Sequence, residues 1–153
     1  MKIITYPNRI LENKAKKIKD PLDKDIQKLI KKMRETMLSN DGIGLAGPQV
    51  GVSLQICVIE YENVFYTFIN PKITAYSKDE KVIAEEGCLS FPGKFLMVER
   101  YEKIKVRYLN EKGKKCKMKA TGTLSRALQH EIDHLNGILF INKVCLKQKN
   151  KKN

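Results

Sequence analysis

His130 and His134 are the only histidines in the chain, and their spacing sets the structure around them. They frame Gln129-His130-Glu131-Ile132-Asp133-His134, an H-E-x-x-H pattern. At helical spacing, residues i and i+4 stack on one face, so both imidazoles can close on one metal ion. Glu131, beside the first of them, can reach a water on that metal and take its proton. The plain alternative is a pair of ordinary histidines on an amphipathic helix. The flanking residues support the helix. It begins near residues 121–123 and ends at Asn136-Gly137, a good C-terminal stop. Leu124, Leu128, Ile132 and Leu135 give it one buried stripe.

The rest of the chain predicts one compact unit. Its 153 residues suit a single domain with a substantial core. Asp20 is the candidate N-cap of a first helix, with Pro21 at its first position. Ile26, Leu29, Ile30, Met33 and Met37 then repeat on one face, opposite Lys24, Lys28, Lys31 and Lys32. A glycine-rich stretch follows at 42–51. Residues 54–60 and 65–70 are rich in β-branched and aromatic types, with a break at Asn70-Pro71. Residues 96–101 and 103–109 form further strands, the second alternating Ile104, Val106 and Tyr108 with Lys103, Lys105 and Arg107. A turn at Asn110-Glu111-Lys112-Gly113 leads into a short lysine-rich strand. The expected class is α+β: mostly antiparallel strands around a central helix carrying the H-E-x-x-H motif. Residues 1–142 are expected to form one domain, and 143–153 a short basic tail whose end, 147–153, reads as disordered.

Composition narrows the setting. No apolar run approaches the roughly 20 residues that cross a bilayer, and the N-terminus lacks a secretory core, so the cytoplasm is expected. Cys57, Cys88, Cys116 and Cys145 form no C-x-x-C pair, and a disulfide framework is not expected. The net charge of +13 favours anionic partners. The lysines are dispersed and no base-reading module is present, so specific nucleic-acid recognition is not expected. Weak attraction to a large anionic assembly is.

A catalytic metal site commonly takes three protein ligands and leaves one position for water. The third ligand must come from outside the helix, and the best candidate is Cys88 in Glu85-Glu86-Gly87-Cys88-Leu89-Ser90, read as a loop between strands. A thiolate suits Zn²⁺ or Fe²⁺. Taken alone, Cys88 reads first as a buried structural thiol.

Three segments occur in order: Gly42-Ile43-Gly44-Leu45-Ala46-Gly47-Pro48-Gln49, then Glu86-Gly87-Cys88-Leu89-Ser90, then Gln129-His130-Glu131-Ile132-Asp133-His134-Leu135. They resemble the three signature motifs of the peptide deformylases, and the similarity covers nearly the whole chain. The resemblance implies removal of the formyl group from the N-terminal formyl-methionine of newly made chains. It implies one divalent ion, natively Fe²⁺ and replaceable by Zn²⁺, Ni²⁺ or Co²⁺. Cys88, His130 and His134 match the ligands, and Glu131 matches the general acid/base. Gln49 matches the side-chain donor of the oxyanion site, beside the Leu89 N–H. Ile43 and Gly44 match residues that contact formyl-methionine, and Ala127 borders the same pocket. Glu86 matches a residue that pairs with an arginine, here Arg100, and both are placed in the substrate region. Arg126, four residues before His130, either lines the pocket, binds Glu86 or extends to water.

Two features depart from the pattern. Gly47 stands where alanine is commoner, which should loosen the loop before Gln49. The chain also ends 19 residues after His134, with a basic stub in place of the C-terminal helix that helps some relatives dock on the ribosome. Docking by that route is not expected. Two other readings stay open on the residues alone. An H-E-x-x-H endopeptidase would need a downstream ligand, and no histidine follows His134. A basic binding protein with a structural metal would have no use for Glu131.

Overall fold

The structure is a computed structural model, and it describes residues 1–145. The chain end at 147–153, expected to be disordered, lies outside the described residues. Two α-helices, α1 (Lys24–Ser39) and α2 (Gly122–Leu135), accompany seven strands. The strands are β1 (Gly44–Ala46), β2 (Ile56–Tyr61), β3 (Val64–Tyr76), β4 (Lys81–Cys88), β5 (Phe91–Tyr101), β6 (Lys103–Leu109) and β7 (Lys115–Thr121). An antiparallel sheet runs in the order β1-β2-β3-β6-β7, and β4 and β5 form a separate antiparallel hairpin.

Strand alternation decides which helix covers which face. Cys57, Ile59 and Phe68 point to one side, where Leu128, Ile132 and Leu135 of α2 close the core. Val58 and Ile69 point to the other, where Leu29, Ile30, Met33 and Met37 of α1 pack. Met33 and Met37 are fully buried, and each such side chain contributes about 1.5–3 kcal/mol of burial. The hairpin packs separately, through Phe91 and Val98, on Leu11, Leu139 and Phe140.

Several local expectations change. Helix α1 begins three residues later than Asp20-Pro21 suggests. The Asp23 side chain caps it, accepting from Asp25 N at 2.8 Å and Ile26 N at 3.4 Å. Asp20 instead closes a preceding turn, accepting from Leu22 N at 2.9 Å. Asn70-Pro71 does not end its strand. Asn70 takes φ 49°, the register with β6 shifts between Ile69 and Lys72, and β3 continues to Tyr76. A bulge tolerates proline because no ladder N–H is required there. The Asn70 side chain meanwhile bonds both N and O of Ile18, at 2.9 and 2.8 Å. Strand β4 was not expected at all, and Cys88 ends it rather than sitting in a loop.

Helix α2 stops where expected. Gly137 takes φ 72°, and a Cβ there would lie 2.5 Å from the Glu12 carbonyl oxygen. A glycine is therefore required for the N-terminal segment to lie against the helix end, where Ala15 N donates to Leu135 O at 2.9 Å.

Candidate metal centre and cleft

Three elements meet at the foot of a cleft of about 800 Å³. Strand β4 supplies Glu86 and Cys88, two residues apart and so on one face of the strand. Helix α2 supplies His130, Glu131 and His134. Strand β1 and the tight turn Gly47–Val50 supply Gly44 and Gln49.

Ligand atoms of Cys88, His130 and His134 lie within 4.8 Å of one another. Cys88 Sγ is 3.3 Å from His134 Nε2. His130 Nδ1 is 2.8 Å from Glu86 Oε1. An ionised carboxylate only accepts, so Nδ1 carries a proton, and Nε2 is the nitrogen left to bind a metal in exchange for its own proton. One thiol and two imidazoles, with one imidazole fixed in tautomer by a carboxylate, is a donor set that fits a divalent transition metal.

Glu86 is the hub behind this group. It accepts from Arg100 Nε at 2.9 Å, Arg100 Nη2 at 3.0 Å and Arg126 Nη1 at 2.6 Å, besides His130. Burial alone would raise its pKa. The hydrogen bonds from His130 and Arg100 and their charges outweigh burial and hold the carboxyl well below the usual range. Arg100 also meets Asp133 at 2.5 Å, and Lys143 reaches the same carboxylate at 2.9 Å. Arg126 is occupied three times over, by Glu86, by Val98 O at 2.9 Å and by Val82 O at 2.7 Å. Two of its open readings are realised together: it binds Glu86 and it lines the cleft.

The other titrating groups follow their surroundings. Burial pulls the His130 pKa down, but Cys88 and Glu86 beside it and the Glu131 charge raise it to about 10. Burial pushes Glu131 up to about 7, and Oε2 of that carboxylate is buried with no hydrogen-bond partner among the described residues. Burial, with His130 and Arg100 nearby, lowers His134 well below the ordinary imidazole value.

Glu131 needs the glycine opposite it. A Cβ on Gly44 would sit 2.5 Å from Glu131 Oε1. Gln49 is 1% exposed. Its Oε1 accepts from Ala46 N at 2.9 Å, which fixes the amide so that Nε2 faces Cys88 Sγ at 3.5 Å and Ser90 Oγ at 3.3 Å. Leu89 and Ser90 make the two-residue turn after Cys88. Ile43, Gly44, Glu86, Leu89, Arg100 and Ala127 all line the cleft. The loop at Gly47 is not loosened. A Cβ there would lie 2.7 Å from Val52 O and 2.8 Å from Leu54 O, so the backbone closes on the glycine.

Sequence reasoning missed Ser90 and Asp133. Asp133 sits inside the H-E-x-x-H segment, where only its charge hinted at a partner. Ser90 follows the motif cysteine by two residues and gave no separate signal.

The class this arrangement defines is a metal-dependent hydrolase. A buried carboxylate stands beside a Cys-His-His group at the foot of an open cleft. Comparison with known proteins narrows it. A family model described as "Polypeptide deformylase" matches residues 1–151. Peptide deformylase 1 of Bacillus cereus is 48% identical over 146 residues, covering 94% of this chain and 92% of that protein. The peptide deformylase of Thermodesulfovibrio yellowstonii is 44% identical, covering 94% and 88%. The crystal structure of a peptide deformylase from Synechococcus elongatus in complex with actinonin superposes with TM-score 0.92 at 41% identity, covering 97% of this chain and 81% of that one. That from Thermotoga maritima gives 0.91 at 40%, covering 94% and 97%. The chain belongs to the polypeptide deformylase family. It is a metal-dependent hydrolase that removes the formyl group from the N-terminal formyl-methionine of newly synthesised polypeptides.

Proposed function

We propose that Cys88, His130 and His134 hold one divalent ion, natively Fe²⁺ with Zn²⁺, Ni²⁺ or Co²⁺ able to replace it, and that Glu131 is the acid/base of the hydrolysis. The observation that carries this is the gathering of the three ligand atoms within 4.8 Å, with the buried Glu131 next to His130 on the same helix. On this reading α2 is the central element of the fold, because it brings the H-E-x-x-H residues against both β1 and the end of β4. Residues 1–142 form the catalytic unit and 143–153 the basic tail.

When bound, the ion supplies Lewis acidity, lowering the pKa of a water from about 16 towards 7 and polarising the formyl carbonyl. The protein does the rest. Glu131 accepts the proton of the attacking water and returns it to the amine nitrogen as the C–N bond breaks, giving formate and a free N-terminus. Burial supports this role, because it pushes the carboxyl of the metal-free protein up to about 7, towards the range in which a carboxyl both takes and gives a proton. Gln49 Nε2 and the Leu89 N–H donate to the oxygen that becomes negative. One such donor is typically worth about 3–4 kcal/mol. The Ala46 N–H bond keeps the Gln49 amide aimed before substrate arrives. Glu86 and Arg100 border the substrate region and also act from behind, holding the His130 ring.

The substrate's first side chain enters the cleft between Ile43, Gly44 and Ala127. An extended peptide lies along 42–49 through main-chain hydrogen bonds, so sequence beyond the first residue matters little. Methionine suits such a pocket because its unbranched thioether adapts to irregular walls. Among the described residues no helix is long and apolar enough to cross a membrane. A cytoplasmic setting, with formyl-methionyl nascent chains as partners, follows from the substrate. The test is metal content and formate release of the anaerobically purified protein and its Cys88→Ala variant. The variant should lose both, and a variant that kept full metal and turnover would remove Cys88 from the ligand set.

A further inference from the structure

The five-stranded sheet is covered unequally. On the side away from α2, α1 packs over β2 and β3, and Leu109 of β6 marks the border of that cluster. Beyond the border the same face carries charge. Alternation along β6 sends Ile104 and Val106 into the α2 core and leaves Lys105 and Arg107 exposed. The register places Lys105 opposite Lys119 and Arg107 opposite Lys117 on β7, and Lys72 of β3 opposite Arg107 on its other side. All five side chains are exposed. Among the described residues, none of the five is in an ion pair.

Like charges directly opposite in a ladder repel and destabilise the sheet. Lysines on an edge strand have an ordinary use in blocking edge-to-edge pairing, and that covers Lys117 and Lys119 on β7. It does not cover Lys72, Lys105 and Arg107, which lie on interior strands. None of the five lines the cleft, so peptide binding does not explain them either.

The geometry points to this face of β3, β6 and β7 as a docking surface for the phosphate backbone of structured RNA. Strands about 4.8 Å apart, with same-face residues about 6.7 Å apart along each, make a flat grid of cations. Such a grid meets a row of phosphates without reading bases, because phosphate contacts position a protein and carry no sequence information. Of the other outward residues between them, Thr74 is small and polar, and no exposed aliphatic or aromatic side chain interrupts the five, as insertion into lipid would need. The choice of RNA rests on the deformylase activity, since newly synthesised chains emerge from a ribonucleoprotein. The mode is sequence-independent contact with the RNA backbone, through residues outside the chain end at 143–153.

The test compares two triple variants of the full chain with equal charge loss. One is Lys105→Gln, Arg107→Gln, Lys117→Gln on the sheet face. The other is Lys24→Gln, Lys28→Gln, Lys31→Gln on exposed positions of α1. Binding to a short RNA duplex, to purified ribosomes and to anionic phosphatidylserine vesicles is measured over a range of salt. The unaltered chain should bind RNA and ribosomes with affinity falling steeply as salt rises. The sheet variant should lose at least about 10-fold and its salt dependence should flatten by roughly two to three in log–log slope. The α1 variant should change less than about 3-fold. Equal weakening of both variants, no weakening of either, or binding to vesicles and not to RNA overturns the proposal. Formate release is read in parallel and should be the same in all three proteins. Its absence in the unaltered chain would count against the deformylase reading, whereas unchanged release with unchanged RNA binding in the sheet variant counts against the docking face alone.

Discussion

His130 Nδ1 lies 2.8 Å from Glu86 Oε1, across 44 residues of sequence. The carboxylate fixes the imidazole tautomer and turns the other ring nitrogen towards Cys88 and His134. Glu86 is itself held by Arg100 and Arg126, so a buried charge network sets the orientation of the His130 ring.

Replacing Glu86 with glutamine should therefore act on both metal affinity and stability. Loss of such an outer partner usually weakens metal binding about 10–100-fold. Removing one member of a buried ion cluster typically costs about 3–5 kcal/mol. A chelator competition and a urea titration read the two effects. Metal affinity within 2-fold of the unaltered chain would mean that Glu86 does not orient His130.

The same residue gives a pH dependence with a definite sign. The folded state holds Glu86 below its ordinary value of 4.5. Its contribution to stability is thus complete above about 4.5 and is lost as pH falls below it. Urea midpoints of the unaltered chain should drop between pH 5 and 3 more than those of Glu86→Gln. Parallel curves would show that the ionised carboxylate adds nothing.

Glu131 has the opposite sign. Burial raises its folded pKa to about 7, above the unfolded value, so the favourable contribution is present below 4.5 and is lost as pH rises towards 7. In metal-stripped protein, Glu131→Gln should raise stability at pH 8, by about 1–3 kcal/mol, and leave pH 4 unchanged. In metal-loaded protein the same change should keep the ion bound and cut formyl-peptide hydrolysis at least roughly 10²-fold. Near-normal turnover at full metal occupancy would send the proton elsewhere.

Gly44→Ala should damage catalysis without removing the metal. The added Cβ would come within 2.5 Å of Glu131 Oε1, so the carboxylate must move. A displacement of that size costs on the order of 10²-fold in rate. Steady-state kinetics with metal analysis checks it, and a variant as active as the parent would mean that Glu131 can act from a different rotamer.

Substrate choice tests the pocket wall. Formyl-methionyl and formyl-norleucyl peptides should have similar kcat/KM, because the pocket reads shape rather than sulfur. A formyl-aspartyl peptide should be slow, since its charge would be buried without a partner. Arg126 cannot rescue it, being committed to Glu86, Val82 and Val98. Equal rates for the three peptides would refute the apolar pocket.

Where one period ran cleanly, the sequence was readable. The alternation of β6 and the stripe and glycine stop of α2 are local signals, and the structure has both elements. Strand β4 was not legible, because the alternating face Val82, Ala84, Glu86 and Cys88 is broken by a carboxylate. Its inward position at Glu86 is polar, and only Arg100, Arg126 and His130 make that position burial-tolerant. Those partners lie 14, 40 and 44 residues away, beyond the reach of any window. Asn70-Pro71 misled for a related reason, since the Asn70 side chain at the bulge is held by Ile18, far upstream. The candidate site residues were named by motif. The geometry adds what the motif does not carry, namely the Gly44–Glu131 approach and the Ala46 bond that aims Gln49.

The most direct test follows formate release from a formyl-methionyl peptide by the anaerobically purified chain while its metal is removed and restored. The account predicts one divalent ion per chain, with turnover lost on chelation and regained with Fe²⁺ or Ni²⁺. Cys88→Ala, His130→Ala and His134→Ala should each abolish tight metal binding, whereas serine at Cys57, Cys116 and Cys145 should leave it intact. Full turnover from metal-stripped protein, or tight metal binding that survives loss of Cys88, would contradict it.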